Sequence, residues 1–435
     1  MLFTDIEYLT PGFEVARGYV GVKGGRIAYV GKDAPEDAAA YGEAYSGVGR
    51  FLIPGLINTH AHTSMTLLRG FAESLSLQEW LYNKVFPFEG LMTGPDGYVG
   101  TQLAIAEMLR FGVVSFSDMY YHTEERIQAV AESGIKANIC PALMVFDAEQ
   151  RFDNLEERLA NERYVREFHG SMDGRIRIDL NIHSEYISNP YVVQAVGEQA
   201  VRLGVGTQVH VSETRQEHDE CKERRAGMTP AAYFESLGFF RAPCTAAHCV
   251  WSEQADWQIF ARNNVTVSAN PASNLKLASG FAPLPQMMAA GVNVGIGTDG
   301  AASNNNHNMF KDIYLLATVY KAAGSDPTLI TPAEAIRAAT LAGAQAQGRP
   351  DSGTIALGNR ADLAVLDIDV PWMKPVSSQL NNLVYAAQGS DVVLTMVDGQ
   401  VLYRDGEWPT IDIERVCFEA QAATDRISSA VANQV

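Results

Sequence analysis

The chain lacks an uninterrupted apolar run of about twenty residues, and nothing near its start pairs a basic segment with an apolar one. A transmembrane helix requires the first feature and a secretory signal the second, so neither is expected. Cysteine is sparse: Cys140, Cys221, Cys244, Cys249 and Cys417 are odd in number, scattered, and never form a Cys-x-x-Cys pair. They read as reduced, mostly buried thiols of a cytoplasmic protein. Basic residues are also in deficit, 33 against 51 acidic ones, for a net charge of −18. That balance repels phosphate backbones and anionic lipid, so neither nucleic acid nor a membrane surface is an expected partner. Low-complexity tracts, short repeats and a dinucleotide-binding glycine fingerprint are missing as well.

What is present is a long chain of 435 residues with 47% hydrophobic content, enough for one large domain and a smaller one. Near the N-terminus, Gly18-Tyr-Val-Gly-Val-Lys-Gly-Gly-Arg-Ile-Ala-Tyr-Val-Gly31 alternates around a Gly24-Gly25 pair suited to a primed hairpin turn. Ala361–Asp367 and Asp391–Tyr403, with an Asp398-Gly399 turn, repeat that style near the other end. The two ends are therefore expected to meet in one small β-sandwich, built from residues 1–54 and 355–435.

Between them, over 55–354, short β-branched or apolar runs alternate with segments of helical period. The runs begin with Phe51-Leu-Ile-Pro-Gly-Leu-Ile-Asn-Thr-His60 and continue at 112–119, 138–145, 176–183, 206–212, 244–249, 264–269 and 292–298. Tyr98–Arg110 and Pro190–Leu203 are two of the intervening helical patterns. Eight strands, each followed by a helix, make the arithmetic of an α/β fold of the (β/α)8 TIM-type barrel. A doubly wound open sheet is the competing arrangement, but it seldom needs eight strands.

Chemistry-bearing residues gather at the C-terminal ends of these runs, where barrel enzymes build their sites. The first ends in His60-Ala-His62, whose imidazoles share one side of a strand because side chains alternate. The fourth ends in Asn181-Ile-His183-Ser-Glu185, the fifth in His210-Val-Ser-Glu213, the sixth in His248-Cys249 and the eighth in Thr298-Asp299-Gly300. A lone histidine is usually a satisfied core residue, but five of the nine histidines at one rim ask for another explanation. Three imidazoles and one carboxylate suit a single divalent metal, Zn2+ best, with Fe2+ or Mn2+ also accepted. His60, His62, His210 and Asp299 are the candidate ligands. Such a site brings the pKa of a bound water toward about 7. Asp299 would also accept that water's proton, Glu213 would be the general acid, and His248 would hold the hydroxide or the emerging oxyanion by a hydrogen bond. Taken singly, Glu213 would also suit the positive start of the following helix, and Asp299 a cap for a helix at 300–306.

At these residues the sequence resembles the amidohydrolase superfamily and, within it, the 5-methylthioadenosine/S-adenosylhomocysteine deaminase family. The likeness runs over nearly the whole chain. It is carried by Pro54–His62, Met65–Gly70, Glu79-Trp80, Ala247–Cys249, Asn270-Pro-Ala-Ser-Asn-Leu-Lys-Leu277 and Gly297-Thr-Asp-Gly-Ala-Ala-Ser-Asn-Asn305. The resemblance implies hydrolytic deamination at C6 of an adenine nucleoside, with Glu213 protonating a ring nitrogen. The substrates implied are 5′-methylthioadenosine, S-adenosylhomocysteine, 5′-deoxyadenosine or adenosine. Glu89 matches the glutamate that reads the ribose hydroxyls, His183 a substrate-contacting histidine, and Trp80 would supply an apolar wall. The superfamily's two-metal members carry a lysine after strand four; this chain has none, which implies one metal.

The departures concern the 5′ tail. Members that accept the amino-acid end of S-adenosylhomocysteine are expected to carry arginines after strand three, since a guanidinium fork holds a carboxylate best. Here Cys140-Pro-Ala-Leu-Met-Val-Phe146 is apolar, Arg151 and Arg158 fall out of step, and Glu185 adds an acid after His183. Leu143, Met144, Val145 and Phe146 would favour an uncharged 5′ group. Two other readings remain: a deaminase or hydrolase of a free base or s-triazine with the same metal site, and a barrel scaffold without catalysis. A ribose-reading Glu89 separates the first from a nucleoside enzyme; self-association into a homo-oligomer is left open.

Overall fold

The computed structural model describes residues 1–75 and 77–433. In chain order its strands are β1 (Leu2–Leu9), β2 (Val15–Lys23), β3 (Arg26–Gly31), β4 (Ala44–Ser46), β5 (Arg50–Pro54), β6 (Leu56–His62), β7 (Val113–Tyr120), β8 (Lys136–Pro141) and β9 (Ile176–Ile178). They continue as β10 (Leu180–Asn181), β11 (Thr207–Val211), β12 (Cys244–His248), β13 (Thr266–Ala269), β14 (Asn293–Ile296), β15 (Asp299–Gly300), β16 (Leu363–Asp367), β17 (Val392–Val397) and β18 (Gln400–Arg404). The expected mixed α/β class is borne out.

Both ends of the chain do meet, but in one eight-stranded sheet of order β18-β17-β16-β5-β1-β2-β3 with β4 on β1. The expected sandwich of two layers is not what this pairing describes. The reason lies in β5, which runs parallel to β1 on one side and antiparallel to β16 on the other, knitting the halves together. Both glycine turns have the anticipated form: Gly24 and Gly25 at φ 58° and 75°, Asp398 and Gly399 at 47° and 76°. A separate apolar core, including Phe3, Ile6, Leu52, Val365 and Met396, lies on this sheet.

The first predicted run is in fact two strands. Gly55 divides Phe51–Pro54, which pairs with β16, from Leu56–His62, which pairs with β7. A side chain at this crossing would meet Val114 at 2.2 Å, so only glycine lets the chain pass.

Parallel ladders join β6 to β7, β7 to β8 and β8 to β9, with β15 on the far side of β6. A second parallel set runs β10-β11-β12-β13-β14. The two sets are continuous in the chain at Asp179, between β9 and β10, and at Gly297-Thr298, between β14 and β15. Nearly every residue of these strands is buried, as expected for strands covered on both faces. Helices intervene with ordinary signals: in Pro190–Leu203, Asn189 caps the start by accepting from the Val192 amide, and Gly204 closes the end at φ 70°. The final helix, Ile413–Ala432, lies against Gly94–Arg110 through Arg426–Asp96 and Arg415–Gln102 contacts. Among the described residues no helix is long and apolar enough to cross a membrane.

One buried cation ties the terminal sheet to the parallel strands. Lys136, opening β8, reaches Asp362 Oδ1 at 2.7 Å and Oδ2 at 2.5 Å, and Asp398 Oδ1 at 2.8 Å. Removing the lysine alone leaves the buried Asp362 carboxylate without a cation and Asp398 with Arg360 alone, so Lys136→Ala should lower the unfolding free energy by about 3–5 kcal/mol. In chemical denaturation, Lys136→Met combined with Asp362→Leu and Asp398→Leu should recover part of that loss.

Candidate metal centre and active site

β6 ends with His60 and His62 on one side, their ring centroids 4.8 Å apart. β11 brings His210 to within 3.3 Å of His62, Nε2 to Nε2, and the 299–300 segment brings Asp299 beside β6. Asp299 Oδ1 lies 3.3 Å from His62 Nε2 and 3.6 Å from His60 Nε2. The predicted ligands, from three remote stretches of chain, therefore converge. His60, His62 and Asp299 offer donor atoms all within 4.8 Å of one another, and so do His60, His210 and His248.

Hydrogen bonds behind the cluster aim it. His62 Nδ1 donates to the Met119 carbonyl at 2.5 Å and His210 Nδ1 to the His183 carbonyl at 2.8 Å, leaving both Nε2 lone pairs facing inward. Asp299 Oδ2 accepts from Ser273 Oγ at 2.6 Å and Ser303 Oγ at 3.0 Å, which turns Oδ1 toward the imidazoles. His60 Nε2 is buried with no hydrogen-bond partner. An orphaned imidazole nitrogen among such donors fits a divalent cation, which would use that lone pair.

The backbone supports this aim. Asp299 and His248 sit at φ 61° and 69°, a left-handed conformation that side chains normally avoid. At Gly297 a side chain would meet Asn270 Oδ1 at 2.4 Å, Ser268 Oγ at 2.6 Å and His60 Cβ at 2.8 Å, so the strand can approach β6 only as glycine.

Electrostatics follow from dryness. Burial lowers the pKa of His60 to about 4 and holds His210 well below its ordinary value. Burial would also raise Asp299, but its close approach to His60 and His62 and the other imidazoles around it hold it well below its ordinary value. Glu213 is raised by burial, opposed by the nearby His248. Its Oε2 lies 3.8 Å from His248 Nε2 and its Oε1 accepts from Ser279 Oγ at 3.5 Å. Glu213 does stand just before the Thr214 cap of the next helix while also facing the cavity, whereas Asp299 caps nothing, because residues 301–304 form turns rather than a helix.

All the predicted residues except His60 line one cavity: His62, Trp80, Glu89, His183, His210, Glu213, His248 and Asp299. Leu77, Leu81, Phe86, Met119, Leu143, Met144, Tyr186 and Leu277 give it apolar walls. Glu89 is buried, accepts from Tyr120 Oη at 2.6 Å, and has its pKa pushed up by burial to about 7. Glu185, in contrast, turns away and is neutralised by Arg224 at 2.6 Å and Arg225 at 2.7 Å.

The sequence reading missed the supporting residues. Ser273 and Asn274 stand inside the quoted 270–277 run, Ser303 inside 297–305, yet nothing in either run says which ligand they support. His248 Nδ1 donates to Asn274 Oδ1 at 2.8 Å. Glu217 accepts from the Ser212 and Glu213 amides, fixing the backbone beneath Glu213. Buried Arg126 bonds Asp118 and the Tyr120, Tyr121 and Cys140 carbonyls, while Asp118 holds the Thr63 amide just past His62.

A family model described as the amidohydrolase family matches residues 51–402. The chain belongs to the amidohydrolase family. Among relatives of this amidohydrolase is a protein of Acetivibrio thermocellus named 5-methylthioadenosine/S-adenosylhomocysteine deaminase, 38% identical over 97% of this chain and 98% of its own. Another, from Methanothermobacter thermautotrophicus, is named 5′-deoxyadenosine deaminase and is 38% identical over 98% of this chain and 99% of its own. The crystal structure of an adenosine deaminase from Xanthomonas campestris with bound zinc superposes with a TM-score of 0.92 at 31% identity, over 98% of each chain. The resemblance to the 5-methylthioadenosine/S-adenosylhomocysteine deaminase family is thus borne out for this amidohydrolase.

The purified amidohydrolase should carry about one equivalent of divalent metal by elemental analysis, and His62→Ala or Asp299→Ala should lose most of it. Ser273→Ala, which removes one of the two hydroxyl hydrogen bonds to Asp299 Oδ2, should weaken metal affinity by about 10–100-fold.

Proposed function

We propose that this chain is a hydrolytic deaminase that converts an adenine nucleoside to its inosine analogue and ammonia. One observation carries the reading beyond family membership: the buried carboxylate of Glu89, held by Tyr120, shares a cavity with Glu213 and the histidine cluster. A carboxylate accepts both protons of a cis-diol, a contact that a free base or an s-triazine cannot use. The relatives named for 5-methylthioadenosine, S-adenosylhomocysteine and 5′-deoxyadenosine support the same reading, and a complete set of donors argues against a scaffold.

His60, His62, His210 and Asp299 would hold a single divalent metal, for which zinc suits three imidazoles and a carboxylate best. When bound, it makes a water acidic enough to yield hydroxide near neutral pH. Glu213 gives its proton to N1 of the purine as water adds at C6. Its burial-raised pKa keeps that proton available. Asp299 takes one proton of the attacking water through Oδ1, Oδ2 being already occupied by Ser273 and Ser303. His248 keeps its Nδ1–H on Asn274 and so offers Nε2 to the attacking oxygen's O–H. Transfer of Asp299's proton to the amino group lets ammonia leave as the C6–O–H proton returns to Glu213; the proton on N1 stays in the product. His183 would contact the sugar and Trp80 would form an apolar wall of the same cavity.

We further infer that the eight parallel segments close as a (β/α)8 barrel over 55–354, with 1–54 and 355–435 as a companion β domain. Support comes from the two continuous seams, where each of the fourth and eighth strands pairs with one neighbour through its first half and another through its second. Four of the five free thiols are buried, which suits a reducing cytoplasm.

Ammonia release should be seen with adenosine, 5′-methylthioadenosine and 5′-deoxyadenosine, and not with adenine, guanine or cytosine. Glu89→Gln should raise KM for nucleosides by about tenfold or more at unchanged metal content; an unchanged KM would remove the nucleoside reading. Because the Glu89 carboxyl titrates near 7, its acceptor capacity is lost as pH falls. KM should therefore rise between pH 8 and pH 6, and Glu89→Gln should flatten that rise.

A further inference from the structure

We infer that the 5′ end of the nucleoside enters an apolar hollow beside Glu89, so that this chain selects small uncharged 5′ substituents and rejects the amino-acid tail of S-adenosylhomocysteine. The inference rests on the nucleoside-deaminase reading above and concerns the far end of the same substrate. With C6 at the histidine cluster and the ribose hydroxyls on Glu89, the remaining end of the sugar points past Glu89, away from Asp299.

A second hollow opens there. It shares Phe86, Glu89, Tyr121 and Met144 with the main cavity and adds Gly90, Met92, Phe146 and one imidazole, His122, which lacks the two-pronged grip of a guanidinium. Phe146 is 67% exposed at its outer edge, and Tyr121 Oη leans on Met144 Sδ at 3.6 Å. Thioether, aromatic rings and aliphatic carbon make a surface that gains from burying a methyl or methylthio group.

A free α-carboxylate would find no guanidinium to grip. No arginine or lysine lines either hollow among the described residues. The two arginines after β8 are engaged elsewhere: Arg151 stacks over the Tyr191 ring, and Arg158 lies 3.6 Å from both Asp153 and Glu162. The acidic group at the shared wall is Glu89, which in its ionised form repels a carboxylate. Another groove, holding Arg215, meets the main cavity at Leu77, Tyr186 and Leu277. It lies on the Glu213 side, and Arg215 is turned to Asp219 and Trp251 beside Glu217 and Glu220. A carboxylate gains little there.

The test compares kcat/KM for 5′-methylthioadenosine, 5′-deoxyadenosine, adenosine and S-adenosylhomocysteine with the metal-loaded enzyme. The uncharged 5′ substrates should exceed S-adenosylhomocysteine by about tenfold or more, the worth of one missing charge-assisted hydrogen bond. Met144→Arg, and separately the more exposed Phe146→Arg, should move the S-adenosylhomocysteine to 5′-methylthioadenosine ratio toward the former by about 10–100-fold. Equal turnover of S-adenosylhomocysteine and 5′-methylthioadenosine by the unaltered enzyme overturns the inference while leaving nucleoside deamination intact. A ratio unmoved in both folded variants overturns it too. Turnover of free bases with no nucleoside consumed is the separate failure that removes both readings.

Discussion

An ionised carboxylate in a dry cleft is the constraint on which the site depends. Burial alone would raise the Asp299 pKa, and its contacts to His60 and His62, with His248 nearby, hold it down. Those contacts in turn require imidazoles that cannot rotate away. The Met119 carbonyl pins His62, the His183 carbonyl pins His210, and Ser273 with Ser303 occupy the oxygen of Asp299 that faces away from the rings. Because each outer hydrogen bond is made to a buried backbone group or a short hydroxyl, the inward-facing atoms inherit the rigidity of the strands.

That rigidity has a conformational cost. Ser212, His248, Cys249 and Asp299 all stand at positive φ at or next to strand ends, and such conformations cost roughly 1–3 kcal/mol each unless their surroundings enforce them. The enforcement comes from parallel strands buried on both faces and from Glu217, whose carboxylate takes the Ser212 and Glu213 amides together. Arg126 does the same on the opposite side, gathering the carbonyls around Tyr120 and so fixing the phenol that holds Glu89. Glu89 and the Glu213 backbone are thus set by separate networks, of which the one through Arg126 also reaches the Thr63 amide, just past the first parallel strand, through Asp118.

Short-range pattern was sufficient to locate His60, His62, His210 and Asp299, because each closes an apolar run and runs of that kind end at one rim. It was also sufficient for the paired-glycine and Asp-Gly turns, whose backbone demands are local. It failed where partners are remote. Glu185 read as an added charge because Arg224 and Arg225, some forty residues on, carry no mark of pairing with it. The division at Gly55 was hidden because Phe51–Pro54 and Leu56–His62 are equally apolar, and the change of sheet depends on strands from the other end of the chain. The single terminal sheet was missed for the same cause: β5 has two different partners, and hydrophobic pattern does not say how many.

Two outcomes recur among buried carboxyl groups elsewhere in the fold. Asp118, Glu185 and Asp362 are each paired with an arginine or lysine. Glu217 and Asp312, with no salt-bridge partner at hand, are pushed by burial to pKa values of about 8 and about 7 and so carry less charge. Asp299 follows neither course. It stays ionised between imidazoles and the hydroxyls of Ser273 and Ser303, in a cavity lined by two further carboxyl groups and, among the described residues, by no lysine or arginine. Neutral imidazoles supply dipoles and lone pairs rather than charge. Three carboxyl groups facing a nest of nitrogen lone pairs make a site whose electrostatics favour a compact divalent cation over any side chain this sequence could have placed there, since a fixed lysine or arginine would consume the lone pairs' partner and leave nothing to polarise water.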